Sequence, residues 1–295
     1  MNETVQPSSE RCELSVVIAC YNGAKTLPVQ LEALAAQKWT HPWEVVLAEN
    51  GSTDGSGELA RSFPMANLRV IDASARRGQP FALNTGVRAA RGRLIALCDA
   101  DDEVAPGWLA GMGEALRQHE FVACSMDHTR LNPEWLQWPQ QKTELQRLWY
   151  PPYLPHAAGA TLGFSRTLFD ALGGFDEALP YLHDTEFCIQ AQLRGTPLVF
   201  VDTAVVHYRR RDSLRSHFRQ ARNYAEYNAI FAKRYYPRGE SASSYYTAFF
   251  KEWVTLMRDI RWCSRALERK FSWVWRLGFQ FGRLTGWIKH AGIPV

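Results

Sequence analysis

Apolar and polar positions along this 295-residue chain change period repeatedly. Leu14-Ser15-Val16-Val17-Ile18-Ala19-Cys20 is an almost unbroken apolar run, the pattern of a strand covered on both faces in a parallel sheet. From Ala24 to Gln37 the apolar residues Leu27, Leu31, Leu34 and Ala35 take helical spacing. The alternation continues with a strand at 43–48 and the turn cluster Asn50-Gly51-Ser52-Thr53-Asp54-Gly55, which feeds a helix to about Phe63. A strand at 68–72, a helix at 80–90 and a strand at 93–98 follow. Such repeats predict right-handed βαβ units that bind ligands beyond the carboxyl ends of their strands. The second half is less regular. Residues 132–155, rich in Trp, Pro and Tyr, read as a long loop; 166–172 and 182–194 read as helices, and 198–201 and 204–208 as short strands. From Asp212 onward nearly everything reads helical.

Composition adds bounds to this pattern. An apolar content of 46% suffices for a full core, in one large α/β domain or one domain with an appendage. No window reaches the roughly 18 uncharged apolar residues of a spanning helix, so no transmembrane segment is expected. Met1 to Arg11 is polar and lacks the apolar stretch of a secretory signal. Cys12, Cys20, Cys98, Cys124, Cys188 and Cys263 form no CxxC pair and read as reduced thiols, which suits a cytoplasmic protein. The net charge is +4, but residues 239–295 carry nine Lys/Arg against four Asp/Glu, which is +5 and leaves −1 for the rest. That tail also holds five of the eleven tryptophans.

The strongest chemical signal lies after the fourth strand, where Asp99-Ala100-Asp101-Asp102 crowds three carboxylates together. Like charges at this spacing repel unless a cation or hydrogen-bond donors offset them. Hard oxygen donors at a strand end suit Mg²⁺ or Mn²⁺ accompanying a phosphorylated substrate. A helix cap needs only one carboxylate. A phosphatase nucleophile pair would follow the first strand rather than the fourth. A nucleotidyltransferase would carry a glycine-rich loop after strand one, whereas Tyr21-Asn22-Gly23-Ala24-Lys25 has a single glycine.

Several segments resemble one family in order. Val17-Ile18-Ala19-Cys20-Tyr21-Asn22 resembles the opening strand motif of family 2 glycosyltransferases, and Glu49-Asn50-Gly51-Ser52-Thr53-Asp54-Gly55 their acidic turn. Asn84-Thr85-Gly86, Ala90-Arg91-Gly92 and Asp99-Ala100-Asp101-Asp102 resemble the segment that ends in their DxD motif. Gly173-Gly174-Phe175-Asp176-Glu177 and His183-Asp184-Thr185-Glu186-Phe187-Cys188 resemble the GGFDE and ED elements of the acceptor half.

The resemblance implies an α/β fold of the GT-A type, a Rossmann-like, mostly parallel sheet with flanking helices, plus a helical C-terminal extension. The expected division is a disordered stretch at 1–12, a catalytic domain at 13–238 and the extension at 239–295. Within the catalytic domain, 13–105 would bind nucleotide and 106–238 the acceptor. It further implies a metal-dependent, inverting transfer from a nucleotide diphosphate-sugar, aided by Mg²⁺ or Mn²⁺, to a hydroxyl of a saccharide, lipid-linked glycan or natural product. Polysaccharide biosynthesis is the implied setting.

By the same resemblance Asp101 is the direct metal ligand and Asp99 meets the ribose or the metal's water shell. Tyr21 packs near the base, Glu49 accepts from a base N–H, and Asn84 belongs to the donor side. Asp184 is the base for the acceptor hydroxyl, with Glu186 as a second candidate, and His207 completes the metal site. Two departures stand out: Glu49 replaces the usual Asp, and His183 replaces the usual Glu. They keep open an alternative, a catalytically silent nucleotide-binding scaffold of the same fold. Arg209-Arg210-Arg211 reads equally as a diphosphate clamp and as a solvated basic face. Trp135, Trp138, Trp149, Tyr150 and Tyr153 read as a lid over a sugar or as loop packing. The basic, aromatic tail fits peripheral contact with the inner face of the cell membrane. A helical cap or a homodimer interface fits it as well. Nucleic acid is not expected as a partner.

Overall fold

In a computed structural model, the described residues are 12–137, 145–147, 153–235, 243–262 and 266–290. The chain divides into two units. The first is Met1–Ser125, Gly159–Gly174 and Val199–Val206; the second is Met126–Ala158, Phe175–Leu198 and His207–Val295.

The first unit is built on an eight-stranded sheet. Strands β1 (Leu14–Cys20), β2 (Trp43–Glu49), β3 (Leu68–Asp72) and β4 (Leu94–Leu97) alternate with helices α1 (Leu27–Ala35), α2 (Ser56–Ser62) and α3 (Gln79–Ala89). β1 pairs in parallel with β2 and β4, and β2 with β3. β1 and β2 are buried nearly throughout, which explains their unbroken apolar sequences. After β4 come β5 (Glu103–Val104), α4 (Trp108–Gln118) and β6 (Phe121–Asp127). A two-stranded ribbon follows, β7 (Gln146–Arg147) with β8 (Pro155–His156), and then β9 (Leu162–Ser165). The spatial order is β3-β2-β1-β4-β9-β6-β10-β5, with β10 spanning Val199–His207. β9 runs antiparallel to both β4 and β6. The sequence reading passed over β6 and β9 and split β10 in two. Four residues containing a glycine carry no strand signal of their own, and β9 exists because β4 and β6 pair with it from both sides.

α5 (Arg166–Leu172) belongs to the first unit, and the second is mainly helical, with α6 (His183–Leu193), α7 (Leu214–Tyr235), α8 (Ser243–Asp259) and α9 (Leu267–His290). α7 and α9 approach closely because both carry small residues every four positions. A Cβ on Gly278, Gly282 or Gly286 would run into the backbone carbonyls of Phe218, Arg222 and Glu226 and against Ala221, Ala225 and Ala229. Residues 239–295 therefore share one unit with α6 and α7. Cys12, Cys20, Cys98, Cys124 and Cys188 are free thiols. Cys263 and residues 1–11 lie outside the described residues. Among the described residues no helix is long and apolar enough to cross a membrane.

Candidate active site

At the carboxyl ends of β1 and β2 the backbone has to turn sharply, and side chains take over its hydrogen bonds. Asn22 adopts a left-handed φ of 53°. Its side-chain oxygen accepts from Thr53 N at 2.8 Å, while Ser52 Oγ accepts from Asn22 N at 3.0 Å. Asp54 accepts from Ala24 N at 2.9 Å. The loops after β1 and β2 are thus stapled together. Asn50 binds the next loop, donating to Arg76 O at 2.8 Å and accepting from Gly78 N at 2.9 Å.

Tyr21 projects from this frame, 55% exposed, with the Arg77 guanidinium 4.6 Å from its ring centroid. Arg77 is held there by donating to Asn50 O at 2.7 Å. Sequence reading picked out Tyr21 and missed Arg77, because no motif links residues brought together only by the sheet. Glu49 is buried, and its carboxylate accepts from the Gly51 and Ser52 amides. Burial opposes its ionisation, but the hydrogen bonds from Ser52 and Gly51 outweigh it and hold its pKa below the usual range. Glu49 therefore shapes the turn after β2. Asn84 is buried in α3 beside Gly174, where an added Cβ would meet its side-chain oxygen at 2.7 Å.

Beyond β4, ligand oxygens of Asp99, Asp101 and Asp102 all lie within 4.8 Å of one another. Asp101 is exposed, Asp99 half-buried and Asp102 buried. α1 holds this turn in shape through a buried glutamine. Gln30 donates to Asp99 O at 3.0 Å and accepts from Val104 N at 2.9 Å, gripping both ends of the acidic segment. Two turns further along, just past the end of α1, Gln37 repeats the grip on Ala105 O and Leu109 N. Gln79, at the start of α3, donates to Asp99 Oδ1 at 3.1 Å. Three carboxylates so placed form a hard-oxygen donor set that fits a divalent cation such as Mg²⁺ or Mn²⁺.

The remaining predicted residues belong to the second unit. Asp184 lies in the first turn of α6, half-buried, its Oδ1 accepting from Thr185 N at 2.8 Å. His183 and His156 are its electrostatic neighbours. Burial lowers the pKa of each, with the Asp184 charge opposing, so both favour the neutral imidazole. His156 was not singled out from sequence. Glu186 points elsewhere: it is buried, paired with Arg234 and accepting from Tyr235 Oη at 2.6 Å. Arg234 also reaches Asp176 Oδ2 at 3.2 Å, so the GGFDE and HDTEF segments meet on one guanidinium.

His207 ends β10, with its Nδ1 2.7 Å from Asp127 Oδ2 at the end of β6. Asp127 is buried and accepts from Thr129 N, Thr129 Oγ1 and Arg130 N. Burial opposes ionisation, but these bonds and His207 together hold its carboxyl far below the ordinary range. An ionised Asp127 favours the tautomer with its proton on Nδ1, which makes Nε2 the acceptor nitrogen of His207. Of the arginines that follow, Arg210 is half-buried and its amide donates to Asn132 Oδ1 at 2.8 Å. Trp135 packs on Phe271 with ring centroids 4.7 Å apart, and Tyr153 is exposed. Trp138, Trp149 and Tyr150 lie outside the described residues.

The family model for Glycosyl transferase family 2 matches residues 15–173, more than half of the chain, and the protein belongs to that family. The succinoglycan biosynthesis protein ExoO of Rhizobium meliloti is 37% identical over 102 residues, 35% of this chain and 29% of its own length. The dodecaprenyl-phosphate galacturonate synthase of Rhizobium johnstonii is 31% identical over 132 residues, 41% of this chain and 39% of its own. The chain thus spans well under half the length of these curated relatives. Among solved structures, the mannosyltransferase PcManGT from Pyrobaculum calidifontis, in complex with GDP-Man and Mn²⁺, superposes with a TM-score of 0.66. The match covers 95% of this chain and 89% of that one at 19% identity, and it identifies the fold as GT-A.

Proposed function

We propose that this member of the family is a metal-dependent, inverting glycosyltransferase that moves a sugar from a nucleotide diphosphate-sugar to a hydroxyl. The acceptor is a saccharide or a lipid-linked glycan, and the protein works as a peripheral partner of the inner membrane face. The observation that carries this reading is the braced acidic turn at the end of β4, in the same unit as the exposed Tyr21–Arg77 pair. Relatives named for succinoglycan biosynthesis and for a dodecaprenyl-phosphate product support the acceptor class.

In this reading Tyr21 and Arg77 receive the base, with Glu49 and Asn84 shaping the donor side, and Asp99 meets the ribose or the metal's water shell. Asp101 would hold Mg²⁺ or Mn²⁺, and by the family resemblance His207 would be a further ligand through Nε2. A bound cation there would neutralise charge gathering on the departing diphosphate. Asp184 accepts the acceptor's hydroxyl proton as that oxygen attacks the anomeric carbon and the bond to the diphosphate breaks. His183 and His156, both biased to the neutral imidazole, would not pair with Asp184 as cations, which suits a carboxylate base.

The test is release of nucleoside diphosphate from a panel of donors with Mn²⁺ or Mg²⁺. Asp184→Asn should abolish transfer and leave donor binding intact. Asp101→Ala should weaken both metal and donor; unchanged nucleotide affinity in that variant would sink the metal assignment. Tight nucleotide binding without turnover on any donor and acceptor would instead indicate the silent scaffold.

A further inference from the structure

Helix α8 is apolar on two sides, and only one of them faces its own unit. Tyr245, Phe249 and Leu256 are buried, and Leu256 O accepts from Trp273 Nε1 of α9 at 3.0 Å. On the other side Phe250, Val254 and Met257 recur at i, i+4 and i+7 and are 57, 70 and 55% exposed. Ile260, in the turn that follows, is 49% exposed and lengthens the stripe. A contiguous exposed row of this kind is uncommon on a surface that meets only water.

Charge on α8 is sorted as well. Lys251 and Arg258 lie one step around the helix from the stripe, and Arg261 lies near its end, all three exposed. The acids of the same stretch turn toward α9, where Arg276 bonds Glu252 at 2.7 Å and Asp259 at 3.0 Å. Arg258 also approaches Asp259, at 3.5 Å. The charged groups of α8 beside the stripe are therefore cations, in a tail that carries nine Lys/Arg against four Asp/Glu.

We propose that this face of α8 docks on an anionic phospholipid surface, with Phe250, Val254 and Met257 entering the headgroup boundary and Lys251, Arg258 and Arg261 meeting lipid phosphates. An amphipathic helix lying in the interface plane buries its apolar face by about 5–10 Å and gains from basic residues beside it. A second copy of the chain is the poorer occupant. A two-fold interface through the stripe would set the same cations of both copies near one another, whereas an anionic surface turns them into attractions. The inference rests on the peripheral-membrane part of the proposed function and on none of its transfer chemistry.

The full chain is sedimented, without donor or metal, with phosphatidylcholine vesicles containing phosphatidylglycerol and with phosphatidylcholine alone. It should pellet with the anionic vesicles, and added salt should weaken that binding. Lys251→Gln/Arg258→Gln should lower the partition coefficient by roughly thirty-fold, about five-fold for each charge removed. Phe250→Ser/Val254→Ser/Met257→Ser should leave the protein in the supernatant. All five side chains are exposed, so both variants should keep the wild-type melting temperature, which checks that they fold. A wild-type chain that stays in the supernatant, or pellets equally with neutral vesicles, overturns the proposal, as does a triple variant that pellets like the wild type. A concentration-dependent dimer that the triple variant dissolves while vesicle binding persists assigns the stripe to a second copy and overturns it too. Nucleoside diphosphate release is measured separately, so vesicle binding can fail with transfer intact, or the reverse.

Discussion

Asp99, Asp101 and Asp102 in the first unit, and Asp176 and Glu186 in the second, are two acidic groups held by opposite means. The first three keep their oxygens within 4.8 Å of one another on a turn whose backbone Gln30 grips at both ends. In the second group Arg234 stands between the acids, paired with both, and Tyr235 adds a hydroxyl to Glu186. An arginine from the same chain satisfies acids permanently and ties helices together. A glutamine gripping the backbone fixes where carboxylates sit without supplying charge, the arrangement suited to receiving a cation. The same contrast extends to other titratable groups. In the first unit Glu49 is kept ionised by the amides of its own turn, whereas in the second His217 is kept neutral by burial against Phe271 and Trp275.

The largest effect expected from this contrast is on stability against pH. Burial, with the Arg210 charge assisting, lowers the His217 pKa to about 4 from an ordinary 6.5. Below 6.5 the unfolded chain takes up a proton that the folded chain refuses until about 4. Stability therefore falls as pH drops through that window, by about 3 kcal/mol for this group. His156 and His183, lowered by burial too, act in the same direction. Urea midpoints at neutral and mildly acidic pH should show the loss, and His217→Phe should flatten the slope. An unchanged slope in that variant would remove His217 from the account.

Next in size is Arg234→Met, which leaves Asp176 and Glu186 without their guanidinium. A wholly buried pair broken on one side costs about 3–5 kcal/mol, but Arg234 is 38% exposed, so about 2 kcal/mol is expected. Glu186→Gln in the same chain should recover part of it. A melting temperature unmoved by Arg234→Met would show that the second acidic group is not held as described.

The last effect, read on metal affinity rather than on stability, belongs to Asp127, which holds His207. Asp127→Asn should weaken Mn²⁺ binding by about 10–100-fold, read by calorimetry, since partners of a ligating histidine carry effects of that size. Metal affinity equal to the wild type would separate Asp127, and with it His207, from the cation site.

How far such features can be read from the chain follows from where their partners lie. β1 to β4 were legible because burial on both faces leaves continuous apolar runs, and α6 because its own motif marks it. The acidic turn, Tyr21 and Asp184 stand out as candidates because each sits in a short segment of recognisable residue types. Arg77, His156 and Asp127 do not. His207 and Asp127 are 80 positions apart, and Gln30 and Asp99 are 69 apart. The glycine stripe of α9 was equally silent, since its meaning depends on the alanines of α7.

By itself, then, the amino-acid sequence determined the strand–helix alternation of the first half, the three carboxylates after the fourth strand and the positive, aromatic tail. Each is a property of neighbours along the chain: burial period, charge spacing and composition. Only the tertiary structure decided that Asp99 to Asp102 are gripped by glutamines while Glu186 is spent on an arginine. It also decided that His207 meets Asp127 through Nδ1, and that α8 keeps one apolar face for its own unit and turns another outward. Those outcomes depend on hydrogen bonds and contacts a few ångströms long between residues tens of positions apart, and no local pattern encodes them.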